Sequence, residues 1–258
     1  MKIIRILNFV SLILTIAVNG LANTLPINNL TTGEVSDSFN ALFTPAGYVF
    51  AIWGVIYIAL TIFAVYQILP AQKNNTRIDR IGPWFIFANI FNGAWIFAWH
   101  YQQFPLSLLL MLGLLVSLLT IYSRLGIGIG NSNPKERWLI ETPFSIYLGW
   151  ISVATIANVS VVLLDLNWDG FGITETVWTI VMLVIGTILG LLMTYLRSEV
   201  FYSLVLIWAF VGITQNGSGD SLVTIMAWAG AIILAIFLVF ARTLLRRKKL
   251  VERYKPSS

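Results

Sequence analysis

The chain has no cysteine and one histidine, His100. The first absence excludes disulfides and thiolate metal sites. The second, with no carboxylate cluster near His100 in the sequence, argues against a conventional metal centre. Charge is scarce as well. Only 10% of the 258 residues are Asp, Glu, Lys or Arg, against roughly 25% in soluble domains, so the chain does not read as a water-soluble globule. No acid–base pair or metal cluster is recognisable for an intramembrane enzyme. We therefore read a non-enzymatic protein with no resident cofactor.

What is abundant is hydrocarbon: 58% of the residues are hydrophobic. Apolar runs recur along the whole length, each long enough to cross a hydrocarbon core of ~30 Å. Eight spans are expected, at about 4–22, 46–69, 83–101, 105–124, 138–164, 174–195, 199–215 and 221–241. On that count all 16 Lys and Arg fall on one side of the membrane. The other side carries Glu34, Asp37, Asp165, Asp169, Glu175 and Asp220. The net charge of +5 is thereby explained by topology rather than by nucleic acid, and the positive-inside rule places both termini in the cytoplasm. Lys2, Arg5, an apolar core and Gly20-Leu21-Ala22 also fit a cleaved signal peptide, whose loss would leave seven spans.

Between the spans, the polar segment 23–43 is long for a helix connection and reads as a lid or a disordered loop. Thr44 is placed to cap the second span and Pro45 to open its first turn. His100 reads as an interfacial polar residue. Gly126-Ile127-Gly128-Ile129-Gly130 follows no strand, so it reads as a flexible linker rather than a nucleotide loop. Glu141 is expected to pair with Arg137, four residues earlier. Arg197-Ser198-Glu199 should form a tight hairpin, and Gly186 and Gly190 should allow close packing.

Ten tryptophans are more than the interfacial belts need. Trp84, Trp138 and Trp168 sit near span ends. Others lie deeper: Trp53 and Tyr57 one turn apart on the second span, Asn92 and Trp95 on the third, and Trp150, Ala154 and Asn158 at four-residue spacing on the fifth. The topology brings these groups to similar depth in the outer half, under segment 23–43. Two readings stand side by side. The face packs helices through amide hydrogen bonds and small residues, or it lines a pocket with aromatic walls and a few fixed polar groups.

The motifs carry a resemblance. Thr44-Pro45-Ala46-Gly47-Tyr48-Val49-Phe50-Ala51-Ile52-Trp53-Gly54-Val55-Ile56-Tyr57 resembles the second-helix signature of the TspO/MBR family, the tryptophan-rich sensory and translocator proteins. Asn92-Gly93-Ala94-Trp95 and Trp150 through Asn158 are similar to that family's third- and fifth-helix motifs. Ala46, Tyr48 and Ala51 depart from the family's usual Pro, Trp and Pro. The resemblance covers about residues 4–165, making the first span a retained helix and 23–43 the loop over the ligand site. It implies an all-α membrane fold with a five-helix bundle over 1–165; the span count adds, over 166–258, three further transmembrane helices and a basic tail that have no counterpart in the five-helix members.

It also implies binding of porphyrins, other tetrapyrroles or similar flat hydrophobic molecules, with Trp53, Tyr57, Asn92, Trp95, Trp150, Ala154 and Asn158 lining or supporting the pocket. A homodimer, contact with membrane lipid and no nucleic-acid partner complete the expectation. The alternative is an eight-helix small-molecule transporter, which would gain from a broken helix or a buried mid-membrane charge. The charge bias fits a prokaryotic cytoplasmic membrane.

Overall fold

A computed structural model describes residues 3–25, 27–39, 41–129 and 132–253, with side chains as far as Ala241. The described residues form eleven α-helices and no strand. They are α1 (Ile3–Thr24), α2 (Thr32–Asp37), α3 (Ile52–Ile68), α4 (Thr76–Asp79), α5 (Trp84–His100), α6 (Phe104–Leu125), α7 (Pro134–Glu136), α8 (Thr142–Asp165), α9 (Glu175–Arg197), α10 (Phe201–Ile213) and α11 (Ser221–Arg253). Six segments are long and apolar enough to cross a membrane: Ile3–Thr24, Gly47–Ile68, Phe104–Leu125, Pro134–Asp165, Glu175–Arg197 and Ser221–Ala241. The 17-residue α5 and the 13-residue α10 complete the eight hydrophobic helices that the sequence divides. The chain is a polytopic helical membrane protein.

Helix α8 is central. It packs against α3 and α6 in the N-terminal bundle and against α10 in the C-terminal helices. Helices α9 and α11 pack on each other and on α10. Gly186 and Gly190 permit that closeness: a Cβ would stand 3.0 Å from Phe210 at the first and 2.6 Å from Leu234 at the second. The approach to α8 is a π-helical turn over Arg137–Glu141. Pro143 offers no N–H to the turn behind it, and the wider turn lets the backbone N–H of Thr142 reach the Arg137 carbonyl.

One end of the bundle is tied together by basic side chains. Arg5, only 1% exposed, donates to the carbonyls of Gln67 (3.1 Å), Gln72 (2.6 Å) and Asn75 (2.9 Å), and pairs with Asp79 at 2.9 Å. Asn8, Thr15 and Asn19 are also buried against α3 and α5, so α1 is an integral helix of the bundle.

Two expectations need correction here. Glu141 pairs with Arg77, not Arg137, and also accepts from Ser132. Arg137 lies at the start of the π turn and turns instead to the Ser198 carbonyl at 3.4 Å. Nor are the described residues 126–129 merely a flexible linker. Gly126 ends α6 in the left-handed region (φ 61°). Gly128 (φ 79°) lets the backbone approach α9, where a Cβ would lie 1.9 Å from the Arg197 carbonyl oxygen. Gly130 lies outside the described residues.

Candidate functional site

The opposite, acidic end holds the aromatic constellation. Trp150 is 2% exposed and meets Phe50 and Trp53 edge-on, with ring centroids 5.8 and 6.3 Å away. Trp53 stacks on Tyr57 at 5.4 Å and lies 6.5 Å from Trp95, which stacks on Trp99 at 5.4 Å. Three helices thus supply a chain of rings: α3 brings Trp53, α5 brings Trp95 and Trp99, and α8 brings Trp150.

Polar groups fix these rings. Trp95 Nε1 donates to Asn158 Oδ1 at 3.1 Å, and Asn158 Nδ2 donates to Ser107 Oγ at 2.9 Å, joining α5, α8 and α6. One layer away, Asn92 Oδ1 accepts from Asn19 Nδ2 at 2.8 Å and from the Tyr57 hydroxyl at 3.4 Å. Asn92 Nδ2 donates to the Tyr147 hydroxyl at 2.8 Å. That clasp joins α1, α3, α5 and α8.

A cavity of about 30 Å³ lies among Phe50, Trp53, Trp95, Trp99, Trp150, Val153, Ala154, Ala157, Asn158 and Val161, closed by Ser36 and Pro45. Five residues singled out in the sequence therefore meet at one void: Trp53, Trp95, Trp150, Ala154 and Asn158. Tyr57 and Asn92 do not line it; they brace the layer behind. The void has room for a water or two. The Trp150 indole N–H on its wall is buried with no hydrogen-bond partner among the described residues, although a buried indole usually finds one.

The described residues of 27–39 and 41–46 hold defined structure and bring Ser36 and Pro45 to the void. Thr31 and Glu34 form a reciprocal capping box that starts α2. The segment is fastened at two places. Against α5, Trp99 Nε1 donates to the Thr32 carbonyl at 3.1 Å, and Asn28 Nδ2 donates to the His100 carbonyl at 3.1 Å. Against the C-terminal helices, the Ala46 amide donates to the Gly212 carbonyl at 3.1 Å, and Asn216 Nδ2 donates to the Leu42 carbonyl at 3.0 Å.

His100 is not interfacial. It is fully buried beneath this segment, where its Nδ1 donates to the Ile27 carbonyl at 3.1 Å and its Nε2 faces the Thr32 hydroxyl at 3.1 Å. Thr44 does not cap the second span: its hydroxyl is buried with no hydrogen-bond partner among the described residues, and Ala46 precedes the 3₁₀ turn Gly47–Ala51 that leads into α3. With Pro45 lacking an N–H and Gly212 approaching closely, the chain enters α3 through backbone contacts instead.

Sequence reasoning missed Trp99, Val153, Ala157 and Val161, although each stands three or four residues from a residue that it did identify. Ser36 and Pro45 carry no periodic signal, because the first comes from the six-residue α2 and the second from the nonhelical approach to α3.

The sequence pattern of the family described as TSPO-like protein matches residues 5–240. The chain belongs to that family. The match passes beyond 165, so α9, α10 and the first 20 residues of α11 in this TSPO-like chain lie inside the matched region. No curated protein and no solved structure matches the chain.

Proposed function

We propose that this TSPO-like membrane protein binds flat hydrophobic ligands of the porphyrin and tetrapyrrole class in the aromatic chamber. The observation that carries the reading is the Trp150 indole N–H, buried at a void walled by tryptophans and with no acceptor among the described residues. A conjugated ligand with ring nitrogens or carboxylates supplies both an acceptor and a flat face for stacking. The void of about 30 Å³ is too small for such a molecule as it stands. Entry therefore requires α2, which carries Ser36, to lift and Trp53 or Trp150 to rotate, with the ligand selecting the open state. The transporter reading has less support, since the buried charged side chains Arg5, Glu141 and Glu199 belong to the basic end rather than to mid-membrane. We place that basic end in the cytoplasm.

The test is a titration of purified protein with protoporphyrin, followed by tryptophan quenching. Saturable quenching is expected, weakened about fivefold in Trp150→Phe, which keeps the ring but deletes the N–H. Absence of saturable quenching in folded protein would refute the proposal.

A further inference from the structure

The aromatic chamber is not the one sizeable opening among the described residues, and a much larger one lies nearby. A groove of about 520 Å³ runs between α8 and α9, on the face of α8 turned away from that chamber. Thr155, Leu163, Ile173 and Met182 are among its walls, and Trp168 and Trp178 stand at its mouth. The volume lies within the range of ~300–1,000 Å³ typical of ligand pockets.

Its position says what could fill it. From Thr155 to Leu164 the α8 wall rises roughly 14 Å at 1.5 Å per residue. That is about half of a ~30 Å hydrocarbon core, the depth of one leaflet. Both walls are membrane-crossing helices, and on the side of α9 away from the groove Val177, Val181, Val184 and Ile188 are exposed, the kind of surface that faces lipid. The mouth is built rather than loose. Trp178 Nε1 donates to the Gly170 carbonyl at 3.0 Å, and the Trp168 and Trp178 rings meet at 5.4 Å. Trp at that level is typical of the headgroup boundary.

The mouth also has a sign. Asp169 and Glu175 border it, each engaging a backbone amide through one carboxylate oxygen: Phe171 N at 3.0 Å and Leu42 N at 2.9 Å. No Lys or Arg lies in the stretch from 138 to 196 that forms both walls and the mouth. An anionic headgroup would meet two like charges there, whereas an ammonium would meet two opposite ones.

We propose that this groove is a lipid site, holding an acyl chain of a phospholipid from the leaflet at the acidic end, with an ammonium-bearing headgroup between Asp169 and Glu175. The inference does not depend on the chamber ligand. Bound there, the lipid fills the space between α8 and α9 and joins the C-terminal helices to the bundle through α8.

Native mass spectrometry of the full chain in mild detergent tests it, with phosphatidylethanolamine and phosphatidylglycerol of identical acyl chains supplied in equal amounts. One phosphatidylethanolamine per chain is expected, favoured about fivefold over phosphatidylglycerol. Ser160→Trp, which fills the groove, should reduce retention about tenfold, whereas Val184→Trp on the exposed face of α9 should leave it unchanged. The double variant Asp169→Asn with Glu175→Gln keeps acceptors for both amides; it should retain lipid but lose the headgroup preference. Four results would each overturn the proposal: no retained lipid, equal retention of both lipids by wild type, retention indifferent to Ser160→Trp, or a two-chain species without lipid, which would make the groove a contact between copies.

Discussion

Trp95 and Asn158 are joined by an indole-to-carboxamide hydrogen bond of 3.1 Å across α5 and α8. The two readings of the Trp/Asn face therefore coexist in the same residues: Asn158 packs helices together and also lines the void. In Asn158→Ala both the Trp95 N–H and the Ser107 hydroxyl lose a partner. Thermal unfolding in detergent should show a loss of about 1–3 kcal/mol. A double-mutant cycle with Trp95→Phe should give a coupling of about 0.6–1.7 kcal/mol. Additive effects would mean that the bond contributes nothing to the fold.

His100 holds the segment that must move. In His100→Ala the contacts to Ile27 and Thr32 are lost while the chamber walls are untouched. Protoporphyrin should then associate faster in stopped-flow quenching, by about fivefold if a hydrogen bond of ~1 kcal/mol is removed from the closed state. An unchanged association rate would show that this fastening does not control entry.

Arg5 secures α1 to the turn between α3 and α4 through three carbonyls and Asp79. The intact mass of protein purified from membranes should therefore include α1. Arg5→Ala should cost about 1.5–3 kcal/mol, as expected for hydrogen bonds to a charged group. A mass lacking α1 in a folded, membrane-extracted protein would contradict that integral role.

At Gly128 a side chain has no place to go. Gly128→Ala combines a positive φ with a Cβ 1.9 Å from the Arg197 carbonyl oxygen. A loss of about 1–3 kcal/mol is expected, with faster proteolysis at the basic end. Gly33→Ala, where a Cβ meets nothing within 4 Å, serves as the mild comparison.

The helices were legible because lipid imposes long apolar runs, and Lys and Arg fall only in the turns of one side. The shared face of Trp150, Ala154 and Asn158 followed from helical spacing, and the void confirms that geometry. What escaped was set by contacts distant in sequence. His100 looked interfacial because it ends α5; its burial depends on α2, whose Thr32 lies 68 residues earlier. Glu141 was assigned to the basic residue nearest in sequence, but the fold brings Arg77 to it from 64 residues away. Thr31 and Glu34 did carry a local signal, the three-residue spacing of a capping box, and it shows that segment 23–43 contains a helix. Gly128 was ambiguous, since a glycine needed for close approach reads the same as one in a slack linker.

The central claim is that ligand occupies the chamber beside Ala154. Its most direct measurement is the protoporphyrin affinity of Ala154→Phe beside that of Leu109→Phe, whose site on α6 is 66% exposed. Both add the same ring, and only the first fills the void. The account predicts that Ala154→Phe weakens binding at least about tenfold, the effect of ~1.4 kcal/mol, while Leu109→Phe binds like wild type. Equal affinity in all three folded proteins would contradict it and place the ligand elsewhere.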